Sequence, residues 1–196
     1  MLKYSGGYFG TLIFAHVGIT IFHLGLQGGF LYNWLCNHMW LYWTIYAILA
    51  LGYLVISAQE SVNQAGRDAQ RLQGCLDRGE NEEGKKCYQP WYGLRNAAIL
   101  EAPVMLLSLI MAFVSGIPGI FVGLLPNLWY CAWTPVKEAL PNLFPWLYLA
   151  IGALSILVNG LVYPEGKRRF EKMRVHMLEN TERIRNREKP IRIPRG

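Results

Sequence analysis

Four polar side chains, His16, Thr20, His23 and Gln27, interrupt an otherwise apolar stretch at steps of four, three and four residues. That spacing lines them along one stripe of a helix. Imidazole, hydroxyl and amide groups in such a row could ligate a metal or a pigment, or pass a proton. The plainer alternative is interhelical hydrogen bonding, worth roughly 1 kcal/mol per contact in model helix pairs. Either way the stripe should face a bundle interior or a wet cavity, because polar groups inside a membrane are costly. Gly10, Gly18 and Gly25 lie roughly opposite, a smooth face where another helix can approach closely.

Glu101 is the one acid inside an apolar block. At a helical rise of about 1.5 Å per residue it lies about 9 Å beyond Arg95, a depth similar to that of His16 and Asn159 in other blocks. His16, Glu101 and Asn159 together would form a proton relay or an ion site. The competing expectation sets Glu101 near the headgroups, in the first turns of its helix, where a carboxylate suits the helix dipole. Pro103 fits a helix start or a kink equally well.

A haem held by two histidines is disfavoured, since His16 and His23 share one block and the other apolar blocks contain none. A single histidine can still ligate a pigment magnesium. Cys36 and Cys131 both fall in segments on the outer side, where a disulfide could pin the two loops in an oxidising compartment. Cys75 and Cys87 are separated by eleven intervening residues on the inner side, with no Cys-x-x-Cys or histidine spacing to make a zinc site. Phosphate-loop, nucleophile-elbow, zinc-protease and dinucleotide fingerprints are all missing. No catalytic residue and no metal site is therefore assigned, and an enzyme is not expected. No cofactor is required by any motif, whereas bound lipid is expected.

The elements that must position these groups are membrane helices. Of the 196 residues, 53% are apolar and only 16% charged, against about 25% charged in an ordinary soluble domain. The apolar residues come in blocks of the length that a hydrocarbon core about 30 Å thick demands of a helix. They lack the alternation of a membrane β-barrel. The expected fold is an all-α four-transmembrane-helix bundle with two amphipathic helices on the inner, positive side. Its transmembrane domain spans residues 1–163, with spans at about 8–31, 39–58, 97–114 and 144–163. An inner extension and loop cover 59–96, and an outer segment covers 116–143. An amphipathic helix and basic tail follow at 164–196. The opening residues lack the basic flank and cleavage site of a signal peptide, so the first block reads as a retained span.

Lys and Arg set the orientation. Arg67, Arg71, Arg78, Lys85, Lys86 and Arg95 lie between the second and third blocks, and eleven more lie from Lys167 to Arg195. The segment 27–38 has none and 116–145 has only Lys137. The positive-inside rule then places both termini on the cytoplasmic, matrix or stromal side, in a cytoplasmic membrane or an organelle inner membrane. Residues 116–133 are apolar enough to suggest a fifth span, but Pro118, Gly119, Gly123 and Pro126 break them up. They read as a helix extension or a partly re-entrant outer segment, tolerated only where protein covers the backbone. Trp129, Tyr130 and Trp133, with Trp34, Trp40, Tyr42 and Trp43, suit an outer aromatic belt.

On the inner side, Val62, Ala65, Ala69, Leu72 and Leu76 recur at three- and four-residue steps, extending the second helix to about Arg78. Residues 79–84 read as a turn. Pro164 and Gly166 read as a break before a helix whose stripe is Phe170, Met173, Met177 and Ile184. Lys167, Arg168, Arg169, Lys172 and Arg174 around that stripe are expected to meet anionic lipid headgroups or a partner. Nucleic acid is not expected, because no recognition pattern accompanies the charge. The leading expectation is a non-catalytic subunit of a larger membrane complex, a respiratory, ATP-synthase or secretion and transport machine, with other membrane subunits as partners. One alternative is a small transporter or channel using the first-block stripe and Glu101. Another is a pigment- or haem-binding membrane subunit.

Overall fold

The computed structural model describes residues 6–28, 30–114 and 116–186. They form eight α-helices and no strand: α1 Gly6–Gln27, α2 Phe30–Asn37, α3 Met39–Asp77, α4 Asn81–Cys87, α5 Tyr92–Met111, α6 Gly116–Trp129, α7 Thr134–Ala139 and α8 Trp146–Arg185. Two short 3-10 turns, Cys131–Trp133 and Pro141–Leu143, flank α7. Helices α1, α3, α5 and α8 are long and apolar enough to cross a membrane. The chain is an all-α membrane bundle with multiple passes.

The helix bounds differ from the sequence expectation where glycine and proline were read as punctuation. The first span ends at Gln27, and a short separate helix, α2, begins at Phe30. Helix α5 starts at Tyr92, five residues before the expected start at Ala97. Within the stretch expected to be a turn, residues from Asn81 onward open α4, with Glu82 and Glu83 in its first turn and Lys85 and Lys86 in its last. That charge order suits the helix dipole.

The break expected at Pro164 and Gly166 is absent. Helix α8 runs through both for 40 residues, about 60 Å at the helical rise. Proline at 164 takes one bond from the carbonyl of Gly160, but packing against α3 outweighs that loss. Tyr163 is fully buried with Ala65, Ala69, Tyr88 and Tyr92, and Phe170 packs on the same cluster. Gly166 is the closest crossing point. A Cβ there would stand 2.7 Å from the Ala65 Cβ and would collide with the Val62 carbonyl. The two inner amphipathic stripes therefore meet each other along part of their length. Met173, Met177 and Ile184, past this contact, remain exposed.

Helix α6, of 14 residues, is shorter than a span and folds back along α5. Gly123 sits against the Met111 side chain, while Trp129 reaches Glu101 ten residues further back on α5. The segment thus covers the C-terminal half of α5 and delivers its aromatic end into the bundle.

Gly10, Gly18 and Gly25 have no atom of the described structure within 4 Å of where a Cβ would stand. Among the described residues no helix packs on that glycine face. Helix α1 instead buries Tyr8, Leu12, His16, His23 and Leu26 on its other side.

Candidate functional site, a buried polar column

Helices α3 and α8 build the column because both repeat polar groups at helical spacing. On α3 these are Tyr46, Tyr53, Ser57, Ser61, Gln64 and Asp68, and on α8 Ser155, Asn159 and Tyr163. All nine are buried. Steps of three, four and seven keep each set on one face, and the two faces meet in the bundle centre.

The centre is Glu101, 1% exposed. It is the tenth residue of α5, about 14 Å into that helix at the helical rise. Tyr53 donates to its Oε1 at 3.2 Å. Tyr130 and the Trp129 indole N–H donate to its Oε2 at 2.9 and 3.2 Å. The Ser155 hydroxyl is a further hydrogen-bond partner, and all four partners are neutral. Trp129 and Tyr130 are therefore carboxylate ligands and not belt residues, and Tyr42, 2% exposed, donates inward to Glu138. Trp34, Trp40 and Trp43 are exposed as a belt requires.

His16 lies beside this carboxylate. Its ring stacks on Trp129 at 3.6 Å between centroids and lies 4.3 Å from Tyr53. The residue is 5% exposed, yet its Nε2 has no hydrogen-bond partner. His16, Tyr53, Glu101, Trp129, Tyr130 and Ser155 line one small cavity of ≈ 10 Å³, room for about one water molecule. An imidazole nitrogen without a partner, a carboxylate and a water-sized space are thus gathered at one depth.

Asn159 forms the next layer toward the basic side. Its amide donates to the Ser57 Oγ at 2.7 Å and to the Ser155 carbonyl at 2.8 Å, and its oxygen accepts from Tyr8 at 3.2 Å. Ser61 donates to the Asn159 carbonyl at 3.0 Å. Ser57 lies one turn from Tyr53 on α3, so this layer adjoins the Glu101 layer. Further along, Asp68 accepts from Tyr163 at 2.6 Å, and from Gln64 and Arg71 at 2.9 Å each. Arg67 pairs with Glu60 beside them.

The remaining residues singled out from sequence scatter around this column. His23 Nδ1 meets the Tyr46 hydroxyl at 2.6 Å. Thr20 donates to the Leu128 carbonyl at 3.1 Å. Gln27 is exposed at the end of α1. The first-helix stripe therefore divides: His16 belongs to the Glu101 cavity, and Thr20 and His23 are interhelical ties. At the end of the bundle away from the basic tail, Lys137 and Tyr148 both donate to the Asn127 Oδ1 at 2.9 Å. Burial holds the Lys137 ammonium below the usual lysine range, with Glu138 opposing that shift.

Cys36 and Cys131 are both free, so the outer disulfide is not formed. Cys131 is fully buried in the 3-10 turn and lies 3.9 Å from the Thr20 hydroxyl, while Cys36 is partly exposed on α2. The inner pair is the close one, with Cys75 and Cys87 sulfurs 3.8 Å apart. Of the basic residues on α8, Lys167 pairs with Glu171, and Arg168 and Arg169 pair with Glu165. Arg174 donates across to Gln73 on α3. Among the described residues no cluster of three metal-ligating side chains occurs.

Sequence reading found His16, Glu101 and Asn159 but missed Tyr8, Tyr53, Ser57, Ser155, Trp129 and Tyr130. The signal for those on α3 and α8 was present as a second and a third polar stripe. No local pattern marks Trp129 and Tyr130, because their role depends on α6 folding back along α5. No family model, curated protein or solved structure matches the chain.

Proposed function

We propose that the protein is a small proton-handling membrane protein, a transporter or channel in which Glu101 takes up and releases the proton. The observation that supports this reading is the water-sized cavity shared by Glu101 and the unpartnered His16 Nε2. A space for about one water is too small for an organic solute and suits a proton carried on water. Buried acids within membrane helices are rare and mark ion or proton pathways. The layers at Asn159 and Asp68 supply hydroxyl and amide groups toward the basic side. Toward the other end Tyr42 and Tyr46 supply hydroxyls and Glu138 a carboxylate.

Proton flux into proteoliposomes, read with an entrapped pH dye under an imposed potential, tests the proposal. Wild type should acidify the lumen faster than empty vesicles. Glu101→Gln, which keeps the shape and an acceptor oxygen, should lose the flux by about tenfold or more, the lower range for loss of a proton-transferring group. His16→Ala should reduce it as well. Flux in Glu101→Gln equal to wild type, or none in wild type, refutes the proposal.

Orientation belongs to the same reading. The asymmetry of Lys and Arg puts both termini on the inner side. Cysteine labelling from outside should then reach sites near Asn33 and Lys137, and not sites near Glu82 or Asn186.

A second reading, a subunit of a larger membrane complex, draws on different observations. The glycine face of α1 has nothing against it, and α8 exposes Met173, Met177 and Ile184. Replacing those three with glutamine keeps the helix and removes the apolar stripe. Loss of a high-mass band on blue-native gels would support the subunit reading. A wild type that migrates as a bare monomer would count against it.

A further inference from the structure

Two thiols that the proposed proton route does not use lie side by side outside the bundle. Cys75 is buried near the end of α3, Cys87 is the last residue of α4, and their sulfurs are 3.8 Å apart. The surroundings hold them there. Arg78, at the turn between the helices, donates to the Cys75 sulfur at 3.5 Å and to Glu80 at 2.8 Å. Gly84 lets α4 lie close on α3, since a Cβ there would stand 3.2 Å from Leu72 Cδ1 and 3.4 Å from Cys75 Cβ. Tyr88, next to Cys87, stacks on Tyr163 at 5.6 Å.

A disulfide needs its sulfurs about 2.05 Å apart. From 3.8 Å, that is a closure of about 2 Å, within the reach of side-chain rotation. We infer that Cys75 and Cys87 are a redox-modification site, a dithiol that closes into a disulfide by exchange with a low-molecular-weight disulfide.

The more accessible Cys87 attacks first. Its sulfur bonds to one sulfur of the small disulfide, whose S–S bond breaks and releases one small thiolate. Cys75 then attacks the Cys87 sulfur of the mixed disulfide and releases the second. Two protein thiols are oxidised to one disulfide, one small disulfide is reduced to two thiols, and the protons pass to the departing thiolates. Burial, and then the contact with Cys75, push the Cys87 thiol up; Asp68 adds to this and Arg71 opposes it. Little thiolate forms near neutral pH, so exchange is slow. The product staples the inner end of α3 to α4, and with it Tyr88 against Tyr163, the donor to Asp68.

The full chain in mild detergent, incubated in mixtures of oxidised and reduced glutathione, acid-quenched, alkylated and mass-mapped, decides the matter. The two thiols should disappear together into a linked Cys75–Cys87 peptide, with the Cys87 glutathione adduct a minor species. Linked product should exceed adduct by about tenfold more in the native protein than in denaturant, because the fold raises the effective concentration of one thiol at the other. In Cys75→Ser the adduct on Cys87 should accumulate. Free thiols across the whole range, a stable Cys87 adduct in wild type, or equal ratios in native and denatured protein would each overturn the inference.

Discussion

Gly166→Ala is the sharpest test of the crossing that aligns the polar faces of α3 and α8. The added methyl would stand 2.7 Å from Ala65 Cβ and against the Val62 carbonyl. Neither neighbour is the end of a flexible side chain, so the helices themselves must part. Overpacking of this kind costs about 1–3 kcal/mol. Replacing glycine by alanine inside a helix also brings a propensity gain of about 1 kcal/mol. Gly18→Ala supplies the control, because it carries the same gain and nothing lies within 4 Å of its Cβ position. The difference between the two variants then isolates the contact. Reversible unfolding in mixed detergent–dodecyl sulfate micelles should show Gly166→Ala less stable than Gly18→Ala by about 1–3 kcal/mol. Values within about 0.5 kcal/mol of each other, the scatter expected of substitutions that touch nothing, would refute the crossing.

Other consequences follow from single contacts. Tyr163→Phe removes the donor at 2.6 Å from Asp68 but leaves Gln64 and Arg71 in place; the same unfolding assay should show a loss of about 1–3 kcal/mol. In the native protein, maleimide should label Cys36 and spare Cys131, with both labelled after denaturation. A linked Cys36–Cys131 peptide in a non-reducing map would contradict the structure. Lys137 in the fold sits below its unfolded range because of burial, so the unfolded chain holds more protons between the folded value and 10.5. Stability relative to Lys137→Met should therefore rise with pH through that window, which melting curves from neutral to alkaline pH would register. A flat difference would mean that the ammonium is solvated.

How much of this was legible in the sequence depends on how local each cause is. Four spans and the inner run of α3 to Asp77 follow from block length and from the step of Val62, Ala65 and Ala69, since hydrocarbon thickness and helical period act on neighbouring residues. Pro164 and Gly166 misled because their intrinsic meaning is a break. Their meaning in the fold is set by α3, which needs a residue without a Cβ at 166 and holds α8 together past 164. The same displacement of cause explains the glycine face of α1. Small residues allow a close approach but do not specify which helix will make it, and the polar stripe that faces inward decided the rotation of α1.

The carboxylate site carries the argument furthest. Glu101 in isolation reads equally well as a headgroup residue at a helix start. What speaks for the bundle interior is the early start of α5 at Tyr92, which makes Glu101 the tenth residue of its helix, and the return of α6, which brings Trp129 and Tyr130 to it. Proline and glycine in 116–126 are the features that argued against a fifth span, and a helix of 14 residues ending at Trp129 is what they leave. The short returning helix thus brings this buried acid two of its neutral partners, the Trp129 indole and the Tyr130 hydroxyl.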